Sequence, residues 1–131
     1  MKKHLRTLGI LLIVAGGLAL VGVWNVRAKI ARHRIEAARQ MAESFCYMLE
    51  NYTSDHRISE PPKDLRVLLE IDRDNNEPYL AGGERFLDDP WGNPYRLVCE
   101  GKRWRVVSNG PDGVPNTADD ISFERTARDV K

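Results

Sequence analysis

The chain has 131 residues, with 20 Lys and Arg against 19 Asp and Glu, so its formal net charge is only +1. That length allows one modest domain once an apolar N-terminal segment is set aside, and the balanced charge predicts no nucleic-acid partner. The histidines His4, His33 and His56 fall in separate segments, so the sequence assembles no nucleophile, base and orienting acid. We therefore predict that the chain is not an enzyme and has no small-molecule substrate.

An apolar run without a charged residue extends from Leu8 to Val26, after a basic segment at residues 1–7. As a helix this run would be about 28 Å long, close to the roughly 30 Å hydrocarbon core of a bilayer. The sequence therefore predicts a transmembrane anchor over residues 8–26, with a signal peptide cleaved near Ala28 as the alternative. Basic residues flank both ends of the run, so they do not decide its orientation.

The segment after the anchor has the pattern of an amphipathic helix. Its apolar residues recur at spacings of three and four, which places them on one stripe. That stripe consists of Ile30, Ala37, Ala38, Met41, Phe45, Met48, Leu49 and Tyr52. Because no Pro or Gly interrupts Val23–Tyr52, we expect anchor and stripe to form one helix of about 45 residues. The stripe should pack against the rest of the domain.

The middle of the chain is predicted to consist mostly of turns. Residues 53–62 read as a polar linker, residues 62–70 as a short helix, and residues 72–83 as a loop. The buried side of the short helix should be Leu65, Leu68 and Leu69. A compact turn follows around Trp91, whose ring is expected to be a packing anchor.

Period-two alternation begins at Tyr95 and predicts two strands, residues 95–100 and 103–107, joined by a tight turn at Gly101-Lys102. Ile121–Phe123 could return as a third strand, which would complete a small antiparallel sheet. The charged tail at residues 124–131 is expected to fray. Cys46 and Cys99 would approach each other if the sheet packs on the helix, and both a disulfide and two free thiols remain open.

An acidic loop, Ser108–Ile121, follows the second strand. It carries Asp112, Asp119 and Asp120 within nine residues, and no Lys or Arg falls between them. Calcium accepts six to eight oxygen ligands in a flexible shell, whereas magnesium requires stricter geometry and zinc prefers His or Cys. The loop therefore favours calcium, and a solvated surface turn without metal is the alternative.

Two motifs carry a resemblance to a known family. The acidic loop, read as Ser-Asn-Gly-Pro-Asp-Gly-Val-Pro from Ser108 and Asp-Asp-Ile from Asp119, is similar to the calcium loop of the major pseudopilin, the G protein of type II secretion systems. The turn Asp-Pro-Trp-Gly-Asn-Pro-Tyr from Asp89 looks like that family's other hallmark, and the resemblance extends over about residues 30–123. It implies an α+β, pilin-like fold: a long N-terminal transmembrane and amphipathic helix packed on a small antiparallel sheet with a C-terminal calcium loop.

The resemblance also implies a ligand set and a role. Asp112, Asp119 and Asp120 match the carboxylate ligands of Ca²⁺, and the carbonyls of Asn109 and Thr117 are additional candidates. The implied role is a subunit of the periplasmic pseudopilus, with a single-pass anchor in the inner membrane and the domain at residues 27–123 in the periplasm. The implied partners are the inner membrane, further copies of the chain in a filament and other secretion-system subunits.

The N-terminal region departs from the family pattern. Family members carry a glycine-aromatic peptidase site followed by a glutamate at the fifth mature position, whereas here Gly9 is followed by Ile10 and the first acidic residue is Glu36. An alternative function is therefore a membrane-anchored extracytoplasmic calcium-binding module that has the pilin-like fold without polymerising.

Overall fold

The structure is a computed structural model that describes residues 2–58, 60, 62–73, 76–101 and 103–126; within these ranges the side chains of residues 2–16, 18, 19 and 126 are not described. By its internal contacts the chain divides into two compact units, Met1–His33 and Arg34–Lys131. Most of the apolar run predicted as an anchor therefore lies outside the described side chains. Within the side chains that are described, no helix is apolar over enough residues to cross a membrane.

One long helix, α1, spans Lys2–Asp55, which confirms that a single helix runs through the predicted stripe. The helix ends in a Schellman motif: Ile58 N–H donates to the Thr53 carbonyl at 2.9 Å and Arg57 N–H to the Ser54 carbonyl at 3.2 Å. Arg57 adopts a positive φ of 52° at the position that glycine usually occupies. The linker predicted for residues 53–62 therefore begins three residues later than expected, because α1 continues to Asp55. The motif itself was not predicted, since the usual glycine is missing.

Two 3₁₀ helices follow α1. The first, Leu65–Leu69, is capped by Asp64, whose carboxylate accepts the Arg66 N–H at 3.0 Å. It replaces the predicted short helix, and it buries Leu65 and Leu68. The second, Glu84–Leu87, falls in a segment for which the sequence predicted no helix.

The predicted three-stranded antiparallel sheet is confirmed, with strands β1 (Arg96–Glu100), β2 (Arg103–Ser108) and β3 (Ile121–Thr126) in the order β1-β2-β3. Glu100 pairs with Arg103, so two residues connect β1 and β2 as predicted, and Gly101 supplies a positive φ of 63°. β3 continues to Thr126, three residues beyond the predicted end, because it pairs with β2 along its whole length as far as Arg103. Residues 127–131 of the predicted tail lie outside the described residues.

The hydrophobic core of the second unit lies between α1 and the sheet. From α1 it receives Ala42, Phe45, Cys46 and Leu49; from the rest of the unit it receives Leu65, Leu68, Leu80, Leu87, Tyr95, Trp104 and Val106. The predicted stripe is correct from Ala38 onward, whereas Ile30 and Ala37 are exposed. Trp91 is half-buried and lies outside this cluster; the core tryptophan is Trp104.

Side chains of Tyr95 and Arg125 attach the sheet to α1. The ring of Tyr95 meets the edge of Phe45 at 5.2 Å between centroids, and its hydroxyl donates to the Ala38 carbonyl at 3.1 Å. On the other side, Arg125 of β3 pairs with Glu50 of α1 at 3.0 Å. These contacts join α1 to β3 and to the residue before β1. Together with the core, they hold the sheet against α1.

Both cysteines are free thiols. Cys46 is fully buried and its Sγ lies 3.5 Å from the Phe123 carbonyl, whereas Cys99 is exposed and its Sγ lies 3.8 Å from the Pro62 carbonyl. The two thiols thus face different neighbours, although the sheet does pack on the helix. Burial raises the pKa of the Cys46 thiol to about 11.

We expect one thiol per native chain to react rapidly with a thiol reagent at pH 8, and two after unfolding without reductant. The rapid thiol should be Cys99, because its side chain is exposed, whereas Cys46 is buried and has a pKa of about 11. The Cys99→Ser variant should lose the rapid phase and keep the slow one. If unfolding without reductant released no thiol, a disulfide would join the two cysteines after all.

Candidate metal site

A buried carboxylate organises the turn that precedes the sheet. Asp89 is only 5% exposed, and its Oδ1 accepts the backbone N–H groups of Trp91 at 3.0 Å and Asn93 at 2.9 Å. The backbone closes the same turn, since Asp89 N–H donates to the Asn93 carbonyl at 2.7 Å and Gly92 N–H to the Asp89 carbonyl at 2.9 Å. Asp89 therefore fixes the turn from inside.

The same carboxylate connects this turn to the acidic loop. Its Oδ2 accepts the Ser108 hydroxyl at 2.6 Å, and the Ser108 Oγ in turn accepts the Gly110 N–H at 3.1 Å. Gly110 has a positive φ of 68°, and a Cβ there would lie 2.3 Å from the Asp119 carbonyl oxygen. The first turn of the loop thus lies against its end, at a distance that only glycine permits.

Two of the predicted carboxylate ligands converge in the loop. The Thr117 hydroxyl lies 2.7 Å from Asp119 Oδ1 and 3.5 Å from Asp112 Oδ1. Asp112 N–H donates to Asp119 Oδ2 at 3.3 Å, and Val114 N–H donates to Asp112 Oδ1 at 2.8 Å. The hydrogen bond from Thr117, together with the N–H of Asp112, lowers the pKa of the Asp119 carboxyl. The Asp119 carboxyl is therefore held ionised, with the Asp112 carboxylate close beside it.

The third carboxylate has a different environment. Asp120 Oδ2 accepts the Arg96 Nη2–H and the Asn116 N–H, both at 3.0 Å. The Nε–H of the same arginine donates to Asn109 Oδ1 at 2.7 Å. The other carboxylate oxygen, Asp120 Oδ1, is buried and has no hydrogen-bond partner among the residues that the structure describes. A buried, unpaired carboxylate oxygen is costly, so this atom calls for a cation or a proton donor.

All five predicted residues lie in the acidic loop, but their oxygen atoms do not converge around one point. Among the described residues, no three Asp, Glu, His or Cys side chains form a group that could hold a metal ion. The Thr117 carbonyl accepts the Asp120 N–H at 3.3 Å, so of the two groups of Thr117 it is the hydroxyl that lies beside the carboxylates. The donor chemistry nevertheless fits calcium, because the loop offers only oxygen atoms and one of them is an orphan.

Sequence reasoning missed the roles of three residues at this site. The loop contains no basic residue, but Arg96 of β1 supplies one. The roles of Asp89 and Ser108 were also missed, because they depend on contacts across 19 residues of chain. The signal for Arg96 was the hairpin register, since pairing of Arg96 with Val107 brings it beside the first loop residues.

Comparison with known proteins gives the family. A family model described as "Type II secretion system (T2SS), protein G" matches residues 25–124, which is most of the chain. The chain belongs to the protein G family of type II secretion systems. This confirms the resemblance carried by the Asp89 turn and the acidic loop, and the family is one of structural pseudopilins rather than enzymes.

Individual relatives agree with the family model. The chain is 32% identical over 123 residues to the type II secretion system core protein G of Pectobacterium carotovorum, covering 86% of this chain and 76% of the relative. It is 29% identical over 123 residues to the core protein G of Klebsiella pneumoniae, covering 86% and 85%. The crystal structure of the major pseudopilin from the type 2 secretion system of enterohaemorrhagic Escherichia coli matches with a TM-score of 0.55 and 28% identity, over 72% of this chain and 86% of that one. The predicted pilin-like α+β fold is thus confirmed.

Replacing Asp89 with Asn should destabilise this pseudopilin by about 2–3 kcal/mol, measured by urea unfolding. An amide in place of the carboxylate loses one acceptor and presents a donor to the Ser108 hydroxyl, which already accepts from Gly110. The matched control is Asp88→Asn at the exposed neighbouring position, for which we expect a change within about 0.5 kcal/mol. Equal losses in the two variants would contradict the role assigned to Asp89.

Proposed function

We propose that the chain is a calcium-stabilised, membrane-anchored pseudopilin subunit of a type II secretion system. The observation that carries the proposal is the family match over residues 25–124, together with a pilin-like fold. The proposed activity is structural and mechanical: copies of the chain would assemble with one another and with other subunits of the secretion machinery.

The apolar run at residues 8–26 supports the anchor, because it contains no charge and has the length of a single span. Residues at its end also present apolar side chains outward: Leu20 is 74% exposed and Trp24 76% exposed. Exposed apolar helix surface of this kind is used either in lipid or against other apolar helices. We therefore place the anchor in the inner membrane and the sheet domain in the periplasm, as in the proposed pseudopilus.

The acidic loop is the proposed calcium site. Asp112, Asp119 and Asp120 would hold the ion. The carbonyl oxygen of Asn109 and an oxygen of Thr117 would complete its ligands; for Thr117 the hydroxyl is the group beside the carboxylates. Support comes from the convergence of Asp112 and Asp119 at the Thr117 hydroxyl and from the orphan oxygen of Asp120. A bound divalent cation would offset the repulsion among three carboxylates and connect the end of β2 to the beginning of β3. The ion's proposed task is thus to stabilise the sheet.

Calcium should raise the melting temperature of the full-length protein in detergent by roughly 5–10 °C at a calcium concentration about tenfold above the dissociation constant. We expect Asp112→Asn to lose most of this rise, because it removes one of the two converging carboxylates. Asp88→Asn lies outside the loop and should keep the rise in full. An unchanged melting temperature in millimolar calcium, or a full rise in Asp112→Asn, would exclude the proposed ligands.

Assembly can be tested with a single cysteine on α1. In a Cys99→Ser background, Trp24→Cys should form disulfide-linked dimers in native membranes, because filament packing would bring neighbouring copies of α1 together. Glu70→Cys, an exposed position after the first 3₁₀ helix, is the matched control and should crosslink far less.

Intact mass from the same membranes measures processing of the N-terminus. An unprocessed chain beginning at Met1 that forms no crosslink at either position would favour the alternative, a membrane-anchored calcium-binding module that does not polymerise. The sequence observation behind that alternative is the absence of an acidic residue before Glu36.

A further inference from the structure

One guanidinium connects the two ends of the acidic loop. Arg96 donates from Nε to Asn109 Oδ1 at 2.7 Å and from Nη2 to Asp120 Oδ2 at 3.0 Å. Asn109 is the first residue after β2 and Asp120 the last before β3. Because the fork of an arginine side chain is planar and rigid, these two hydrogen bonds hold both ends of the loop in one geometry.

This ion pair is well placed to be strong. The side chain of Arg96 is 31% exposed and that of Asp120 is 16% exposed, so water screens the pair only partly. Two other arginines of the sheet make longer and more exposed pairs: Arg103 with Glu124 at 3.8 Å and Arg105 with Glu100 at 3.6 Å. Arg125 pairs with Glu50 at 3.0 Å, but that carboxylate belongs to α1. Arg96 thus differs from these arginines of the sheet because its short, partly buried pair is made with a carboxylate of the acidic loop.

We propose that Arg96 is a built-in counter-cation of the acidic loop: it holds the loop closed when calcium is absent, and it lowers the affinity of the loop for calcium. The inference rests on the calcium site proposed above. Arg96 leaves Asp120 Oδ1 unpaired, so the arginine neutralises the carboxylate without occupying the oxygen that an ion would take.

Thermodynamic linkage connects the two effects proposed for Arg96, which are stabilising the calcium-free loop and lowering its affinity for calcium. A fixed positive charge beside Asp120 stabilises the calcium-free loop, in which three carboxylates repel one another, more than the loop that a divalent ion has already neutralised. Whatever stabilises the free form more than the bound form weakens binding by the same factor. Arg96 therefore makes the fold less dependent on calcium and requires a higher calcium concentration to fill the site.

A different role for Arg96 makes the opposite prediction. If the arginine served only to position Asp120 for the ion, its removal would disorder a ligand and weaken calcium binding. Charge and positioning can be separated with two substitutions, because Arg96→Gln removes the charge while Arg96→Lys keeps the charge and loses the planar fork.

The experiment measures the calcium dissociation constant by calorimetric titration with calcium chloride, and the melting temperature in chelator and in saturating calcium, using full-length protein in detergent. We expect Arg96→Gln to bind calcium roughly three- to tenfold more tightly than wild type, because a partly screened positive charge has been removed from beside a ligand. Its melting temperature should fall more in chelator than in calcium. Arg96→Lys should bind within about twofold of wild type, since the charge remains.

The matched control is Arg105→Gln, which makes the same charge change at an arginine paired with Glu100, and its dissociation constant should stay within about twofold of wild type. Unchanged or weaker calcium binding in Arg96→Gln would overturn the inference, and so would clearly weaker calcium binding in Arg96→Lys. If Arg96→Gln does not fold, the result for Arg96→Lys decides the question alone. A wild-type protein that binds no calcium would overturn both the inference and the proposed site, whereas the other outcomes leave the site intact.

Discussion

The Asp89 carboxylate is the contact on which the C-terminal part of the molecule depends. One of its oxygens accepts two backbone N–H groups and closes the turn before β1; the other accepts the Ser108 hydroxyl at the end of β2. A buried carboxylate is tolerated only when its hydrogen bonds are satisfied, and three donors meet that condition here. The Ser108 hydroxyl also accepts the Gly110 N–H. The conformation of the acidic loop therefore depends on Asp89, a residue about twenty positions earlier in the chain.

The acidic loop combines two ways of compensating negative charge. Asp112 and Asp119 are stabilised by hydroxyl and backbone donors inside the loop, whereas Asp120 is stabilised by a guanidinium from the neighbouring strand. If Arg96 acts as proposed, such a loop stays closed without a metal and still has an oxygen to offer one.

The packing of the sheet on α1 makes these contacts possible. Phe45 and Leu49 of the helix meet Trp104 and Val106 of β2, and the hydroxyl of Tyr95 reaches the helix at Ala38. Since the sheet has only three strands, it buries one face and needs the helix to cover that face. Loss of order in the acidic loop would release the start of β3, but the Arg125 contact to Glu50 would still hold that strand on the helix.

The sequence by itself determined the family, the order of the elements, the single long helix, the two-residue hairpin connection and the location of the acidic loop. These features follow from local patterns: spacing of apolar residues, alternation, and glycines and prolines at turns. The tertiary structure alone decided the end of α1 at Asp55 with its positive-φ residue Arg57. It also decided the extension of β3 to Thr126, the burial of Trp104 in place of Trp91, and the partners of Asp89 and Asp120. The physical reason is that each of these depends on residues that come together only when the strands pair and the sheet packs on the helix. The sequence shows which residues carry a carboxylate, but only the folded structure shows which groups those carboxylates contact.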